Sequence, residues 1–203
     1  MTLFEKISST FRRKEESFNI VDTDINLLKQ EFSDSNYLSE DCLSEFPTIV
    51  SLINYDVKAA YALILLDDIS YIDISNCLIN KIKINIEDVT LNEVIKVFVG
   101  NYKYFIKIER NFNGLIFNLI TDDQILLDEL INMELQPPPP WIATYLEPKD
   151  FVFPQGKEEY YWNTFWLRFY EKLDPIELEN YLNKYDVPSK WLEYFKIDHN
   201  KSI

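Results

Sequence analysis

Residues 102–124 read Tyr102-Lys103-Tyr104-Phe105-Ile106-Lys107-Ile108-Glu109-Arg110-Asn111-Phe112-Asn113-Gly114-Leu115-Ile116-Phe117-Asn118-Leu119-Ile120-Thr121-Asp122-Asp123-Gln124, and this stretch decides the fold class. Tyr102, Tyr104, Ile106 and Ile108 alternate with Lys103, Lys107 and Glu109, the period of two that puts successive side chains on opposite faces of a strand. Asn113-Gly114 marks a turn, and residues 115–120 are rich in strand formers, so the two runs predict a β-hairpin. Thr121-Asp122-Asp123-Gln124 follows at once with the spacing of a capping box, in which side chains satisfy the first backbone donors of a helix. That helix buries Leu126, Leu127, Leu130 and Ile131 and ends near Met133.

Working outward toward the N-terminus, Thr90-Leu91-Asn92-Glu93 has capping-box spacing too. With Leu91, Val94, Ile95 and Phe98 as a stripe and Gly100 as a stop, it predicts a ten-residue helix. Ile82, Ile84 and Ile86 alternate with Lys83 and Asn85 and predict a strand over 82–86. The apolar run 59–66 suits a buried strand or helix, and Ile25, Leu28 and Phe32 share one face of a helix over 24–32. Residues 1–20 read as a short helix or a frayed end.

Toward the C-terminus, Gln136-Pro137-Pro138-Pro139-Pro140 predicts an extended polyproline segment without backbone donors, followed by irregular chain over 141–155. Tyr161, Trp162, Phe165, Trp166, Phe169 and Leu173 then recur at helical spacing. Asp174-Pro175-Ile176-Glu177 restarts a helix with an N-cap Asp and a first-turn Pro, burying Leu178, Tyr181, Leu182 and Tyr185. A last helix buries Trp191, Leu192 and Phe195. The expectation is an α+β fold: a small antiparallel sheet packed with several helices and closed by an aromatic-rich helical section. It divides into an N-terminal helix or flexible segment (1–20), an α+β core (21–135), and a Pro-rich connector with C-terminal helices (136–203) packed on that core as one globular unit.

The chain carries 34 acidic and 20 basic residues, a net charge of −14, which opposes binding to nucleic-acid phosphates or anionic membranes and suits a basic partner. The acidity concentrates in 22–45 and 67–73, where solvated faces and helix caps are the plain structural reading. No apolar run is long enough for a membrane helix, and Arg12-Arg13-Lys14 is not followed by a signal-peptide core, so a cytoplasmic location is expected. Cys42 and Cys77 sit among apolar neighbours and read as reduced, buried thiols, with a disulfide left open.

Catalytic chemistry finds little to work with. His199 is the single histidine, so His-based triads and multi-His metal sites are excluded, and it reads as an exposed tail residue. The cysteines lack CxxC spacing, and with three glycines there is no glycine-rich phosphate loop. Asp22-Thr23-Asp24 and Asp67-Asp68 are the tight carboxylate pairs, and capping or solvation explains them better than a metal. Tyr160, Tyr161, Trp162 and Trp166 could stack bases, but Lys157, Arg168 and Lys172 are matched by Glu158, Glu159 and Glu171, so the stripe reads as core. The expectation is a non-enzyme without cofactor or metal.

One composite pattern carries a resemblance. Leu135-Gln136-Pro137-Pro138-Pro139-Pro140-Trp141, Gln155-Gly156, Tyr161-Trp162, Trp166, Tyr181-Leu182, Tyr185, Pro188 and Trp191 together resemble a segment of small bacterial proteins, some of which look like immunity proteins of contact-dependent or secreted toxin systems. The resemblance covers the last third of the chain and contains no catalytic motif. It implies a protein that binds and neutralises a cognate toxin domain. Many such toxins attack nucleic acid through basic clefts, against which clustered carboxylates give steered, complementary association. The candidate partner-binding residues are then Asp22, Asp24, Asp34, Glu40, Asp41, Glu45, Asp67, Asp68 and Asp73. The alternative is a secretion-system adaptor or chaperone that binds an effector protein, with the Trp-rich C-terminal helices offering a hydrophobic groove.

Overall fold

The computed structural model describes residues 25–37, 42–148 and 155–201. The segment 1–20 therefore lies outside the described residues. Among those described, α1 (Ile25–Glu31) precedes three strands, β1 (Cys42–Ser44), β2 (Thr48–Ser51) and β3 (Ala60–Leu66). Helix α2 (Asp68–Ile82) leads to β4 (Val94–Val99), β5 (Tyr102–Asn111), β6 (Gly114–Thr121) and α3 (Gln124–Asn132). The C-terminal section holds α4 (Pro140–Ala143), α5 (Lys157–Tyr161), a π-helical turn (Trp162–Trp166), α6 (Leu167–Tyr170), α7 (Pro175–Lys184) and α8 (Ser189–Lys201). The architecture is α+β, as the hairpin-to-helix stretch predicts.

All neighbouring strands are antiparallel, in the order β1-β2-β3-β6-β5-β4. Every residue of β3 is buried, and β6 is buried at all positions except Leu115, so this pair forms the middle of a sheet covered on both faces. Successive side chains of β5 show what lies on either side. The Phe105 ring meets Phe32, just beyond α1, at 5.5 Å. Tyr104 points the opposite way and donates its hydroxyl to Asp123 Oδ2 at 2.8 Å, at the start of α3.

Three local predictions are corrected. Residues 94–99, predicted as helix, form β4, paired with β5 from Val94↔Lys107 to Val99↔Tyr102. Val94, Ile95, Val97 and Val99 are β-branched and favour the pleated conformation, and the supposed box makes a turn, with Asn92 at φ 67° and Glu93 N–H bonded to Thr90 O at 3.3 Å. Gly100, read as a helix stop, takes φ +60° as the first of two residues in the β4–β5 turn, a position that suits glycine in a two-residue hairpin. Residues 82–86 are not a strand: α2 runs to Ile82, Lys83 turns left-handed at φ 59°, and a 3-10 turn covers Ile86–Asp88. Buried Ile82 belongs to the helix and buried Ile86 to that turn, which imitates alternation. The helix start read at Thr121 moves two residues on. Asp123 is the N-cap, accepting from Leu126 N–H at 3.1 Å, while Thr121 ends β6 and its Oγ1 accepts from Asp123 N–H at 3.1 Å.

The proline run is extended except at its end, where Pro140 is the first residue of α4, in the first turn, where N–H groups have no intrahelical acceptor to lose. Prolines leave their carbonyls without local partners, and two tyrosines supply donors: Tyr181 OH to Pro137 O and Tyr161 OH to Pro138 O, each at 2.7 Å. The indoles of the chain's four tryptophans gather beside it, Trp141 with Trp191 at 5.6 Å, and Trp162 with both Trp191 and Trp166 at 6.4 Å. Phe46 touches Phe169 at 5.3 Å and Lys172 Nζ donates to Phe46 O at 2.9 Å, which fastens the C-terminal helices to the β1–β2 turn. Asp174 caps α7 with Pro175 in the first turn, as expected, and Glu177 completes a capping box beyond that expectation, whereas Leu192, predicted to be buried, is exposed on α8.

Asp67 joins these parts. It follows β3 directly and is the N-cap of α2, with Oδ1 accepting from Ser70 N–H at 2.7 Å. Its Oδ2 accepts from Lys184 Nζ at 2.7 Å and from Tyr185 OH at 2.6 Å, both at the end of α7. Gln136 completes the knot: its Oε1 accepts from Lys184 at 3.0 Å, and its N–H donates to Ser70 Oγ at 3.0 Å. Burial alone raises the Asp67 carboxyl, but the bonds from Lys184, Tyr185 and Ser70 outweigh it and hold the pKa below the ordinary 3.8.

Because the folded pKa of Asp67 is depressed, its contribution is present above the unfolded value of 3.8 and is lost as pH falls through the folded value. Asp67→Asn is expected to cost about 2 kcal/mol near pH 7 and to weaken the acid dependence below the unfolded value, as read by urea unfolding across that range. At Gly114 a Cβ would sit 2.4 Å from Leu66 O, on the neighbouring strand β3. Gly114→Ala is expected to cost more, about 3 kcal/mol, than Gly100→Ala, about 1 kcal/mol, where backbone strain is the single penalty and no atom lies within 4 Å; thermal unfolding of the two variants ranks them.

Candidate partner-binding surface

Helix α2 presents two different faces. Ile74, Leu78 and Ile82 recur every four residues and are buried. Stepping roughly 100° per residue, the opposite arc runs Asp68, Ile79, Ile72, Asn76, Ile69, Asn80, Asp73, and all seven are exposed. Ile69, Ile72 and Ile79 leave 54%, 56% and 40% of their surface in solvent. Scattered exposed isoleucines are ordinary, but three on one arc of one helix form a stripe, and Asp68 and Asp73 border it on either side. Among the described residues neither carboxylate takes part in an ion pair.

Helix α3 lies beside α2, against Cys77 and Lys81. Glu129 of α3 binds Lys81 Nζ at 3.0 Å and accepts from Cys77 Sγ at 3.5 Å. Burial first, and then the Glu129 carboxylate, push the Cys77 thiol up to about 11, so at neutral pH it is protonated and a poor nucleophile. Ile125 on α3 is 58% exposed, close to Asp128 in sequence.

The nine carboxylates predicted as partner-binding separate by role. Asp22, Asp24, Glu40 and Asp41 lie outside the described residues. Asp67 is buried in the knot described above, and Glu45 is exposed in the β1–β2 turn. Asp34 is exposed and paired with Lys103, whose hydrogen bond lowers its pKa. Asp68 and Asp73 remain together on the outward face of α2. The three isoleucines were missed because helix α2 was not read, although Asp67 with Ile74, Leu78 and Ile82 carried a cap and a four-residue period.

Other polar groups gather where little can enter. On the Phe105 side of the sheet, Tyr61 OH donates to Asn118 Oδ1 at 2.8 Å, Asn118 Nδ2 donates to Glu109 Oε2 at 3.3 Å, and Lys107 lies 3.1 Å from Glu109. The cavity there is about 10 Å³, room for one water and no substrate. A larger hollow of about 430 Å³ opens at Asp68, Glu87 and Arg110 over Leu66, Ile86 and Ile108, beside the first turn of α2. Among the described residues no group of three or more His, Cys, Asp or Glu is placed to hold a metal ion, and no helix is long and apolar enough to cross a membrane. His199 falls within α8. Comparison with protein-family models, with curated proteins and with solved structures finds no match.

Proposed function

We propose that this chain is a cytoplasmic immunity protein of a bacterial toxin system, which neutralises a basic toxin domain by binding it through the outward face of α2. The observation that carries the reading is the stripe Ile69, Ile72 and Ile79 set between Asp68 and Asp73. Isoleucines supply the desolvated centre of an interface, and bordering carboxylates supply the charge that selects a basic surface. The net charge of −14 extends that attraction beyond contact range, to roughly 10 Å at moderate salt. Inhibition of this kind needs occlusion of the toxin's cleft and no chemistry from the inhibitor. For the alternative, an adaptor with a tryptophan-lined groove, the support is thinner: Trp141, Trp166 and Trp191 are buried in the aromatic cluster, and Trp162 is half-buried against it.

The test is co-expression with the toxic domain encoded by the adjacent gene. The wild-type chain is expected to restore growth and to bind the purified domain. The pair Ile69→Arg and Ile72→Arg is expected to weaken binding by roughly 30-fold or more without lowering thermal stability, because both positions are exposed. Association should slow as salt rises. An adjacent gene encoding no toxin, or unaltered affinity in the double variant, would overturn the proposal.

A further inference from the structure

Among the described residues the sheet ends on one side in β4, an edge strand of six residues, Val94-Ile95-Lys96-Val97-Phe98-Val99. The opposite edge, β1, has three residues and an irregular register. Long apolar edges invite pairing and are commonly blunted by charge, proline or a bulge. In β4 the single charge is Lys96, and it is turned back onto its own chain, 3.1 Å from Glu31 and 5.0 Å from the centre of the Phe105 ring.

Pairing alternates along an antiparallel ladder, so every second residue of β4 turns its backbone away from β5. Lys103, opposite Phe98, fixes the phase. Its N–H donates to Asp122 Oδ1 at 2.8 Å, on the β6 side, and not to β4. The N–H and C=O groups of Phe98, Lys96 and Val94 therefore face outward, and the Phe98 side chain is itself 57% exposed.

From this edge we infer that β4 pairs with β4 of a second copy of this chain, antiparallel about a twofold axis at Val97, joining two six-stranded sheets into one. The strand's own sequence argues for this occupant. Two registers pair outward-facing residues and keep five residues of β4 in the ladder. An axis at Lys96 would set lysine against lysine. The axis at Val97 sets Lys96 against Phe98 of the other copy, a cation beside a ring, and Ile95 against Val99, with no like charges opposed. The one charge the strand carries is the Lys96 cation, so it does not select the basic partner that α2 suits. The contact is isologous and closed, which limits it to a dimer.

Sedimentation velocity of the whole chain is expected to show a species of twice 24.2 kDa. Dimerisation should strengthen with salt, because screening relieves repulsion between two copies of charge −14, the opposite of the dependence expected for the toxin complex. Val97→Cys is expected to form an intermolecular disulfide under mild oxidation, with position 97 linked to position 97 in the digested peptides, since directly opposed residues of this type lie about 4.5 Å apart at Cα. Phe98→Pro removes an outward N–H and leaves the β5 ladder intact, and Phe98→Lys sets like charges across the axis. Each is expected to raise the dimer dissociation constant at least about tenfold with thermal unfolding little changed. A chain monomeric at every concentration and salt, or dimers unaffected by both Phe98 variants, would overturn the inference. Neither result bears on toxin binding through α2.

Discussion

A single carboxylate at the end of the central strand holds the molecule's two halves together. Asp67 stands where β3 stops and α2 begins, and its two oxygens serve different masters: one caps the helix through Ser70, the other receives Lys184 and Tyr185 from α7. A buried charge with several donors around it is costly to uncover, because removing any partner leaves the rest desolvated without compensation. The knot therefore couples strand end, helix start and C-terminal section, so that disturbance at one of them is felt by the others.

The same logic governs the proline run. An extended segment of prolines has no donors and cannot satisfy its neighbours' carbonyls, so burying it requires hydroxyls from elsewhere. Tyr161 and Tyr181 meet that need, and both are buried deeply enough that desolvation raises their pKa values well above the ordinary 10. The aromatic residues that resemble a recognition surface in sequence are thereby committed to the interior. At the β5–β6 turn, Phe112 takes the left-handed conformation at φ 53°, unusual for a bulky side chain. Its ring lies 5.4 Å from Tyr161 and 6.2 Å from Phe165, contacts that hold the strained turn against the C-terminal helices.

What the sequence makes legible follows from how local each signal is. The β5–β6 hairpin, the Asp174 N-cap with its first-turn Pro175 and the period of 161–169 each rest on neighbours within one or two turns, and the structure has them. Residues 90–98 mislead because Thr90 and Glu93 fit a cap and Val94, Ile95 and Phe98 fit a helical face, while pairing with β5, unknowable locally, decides for a strand. Helix α2 escapes notice for a related reason. Isoleucines on its outer arc blur the amphipathic pattern by which a helix is usually seen. The feature that hides the helix is the one that marks its surface.

The distinction between the carboxylates matters more than their number. Asp67 is consumed by folding, Asp34 and Asp56 by lysines on their own chain, and each has its pKa lowered by that engagement. Asp68 and Asp73 have no such partner among the described residues, and they border the apolar arc of α2. An acidic protein could scatter its charge evenly for solubility alone, which would leave isoleucines and unengaged carboxylates on unrelated surfaces. Here they share one helix, whose start is held rigidly by the Asp67 knot. If α2 is the binding face proposed above, a surface fixed in advance loses little entropy on binding, so its few exposed anchors can convert into affinity.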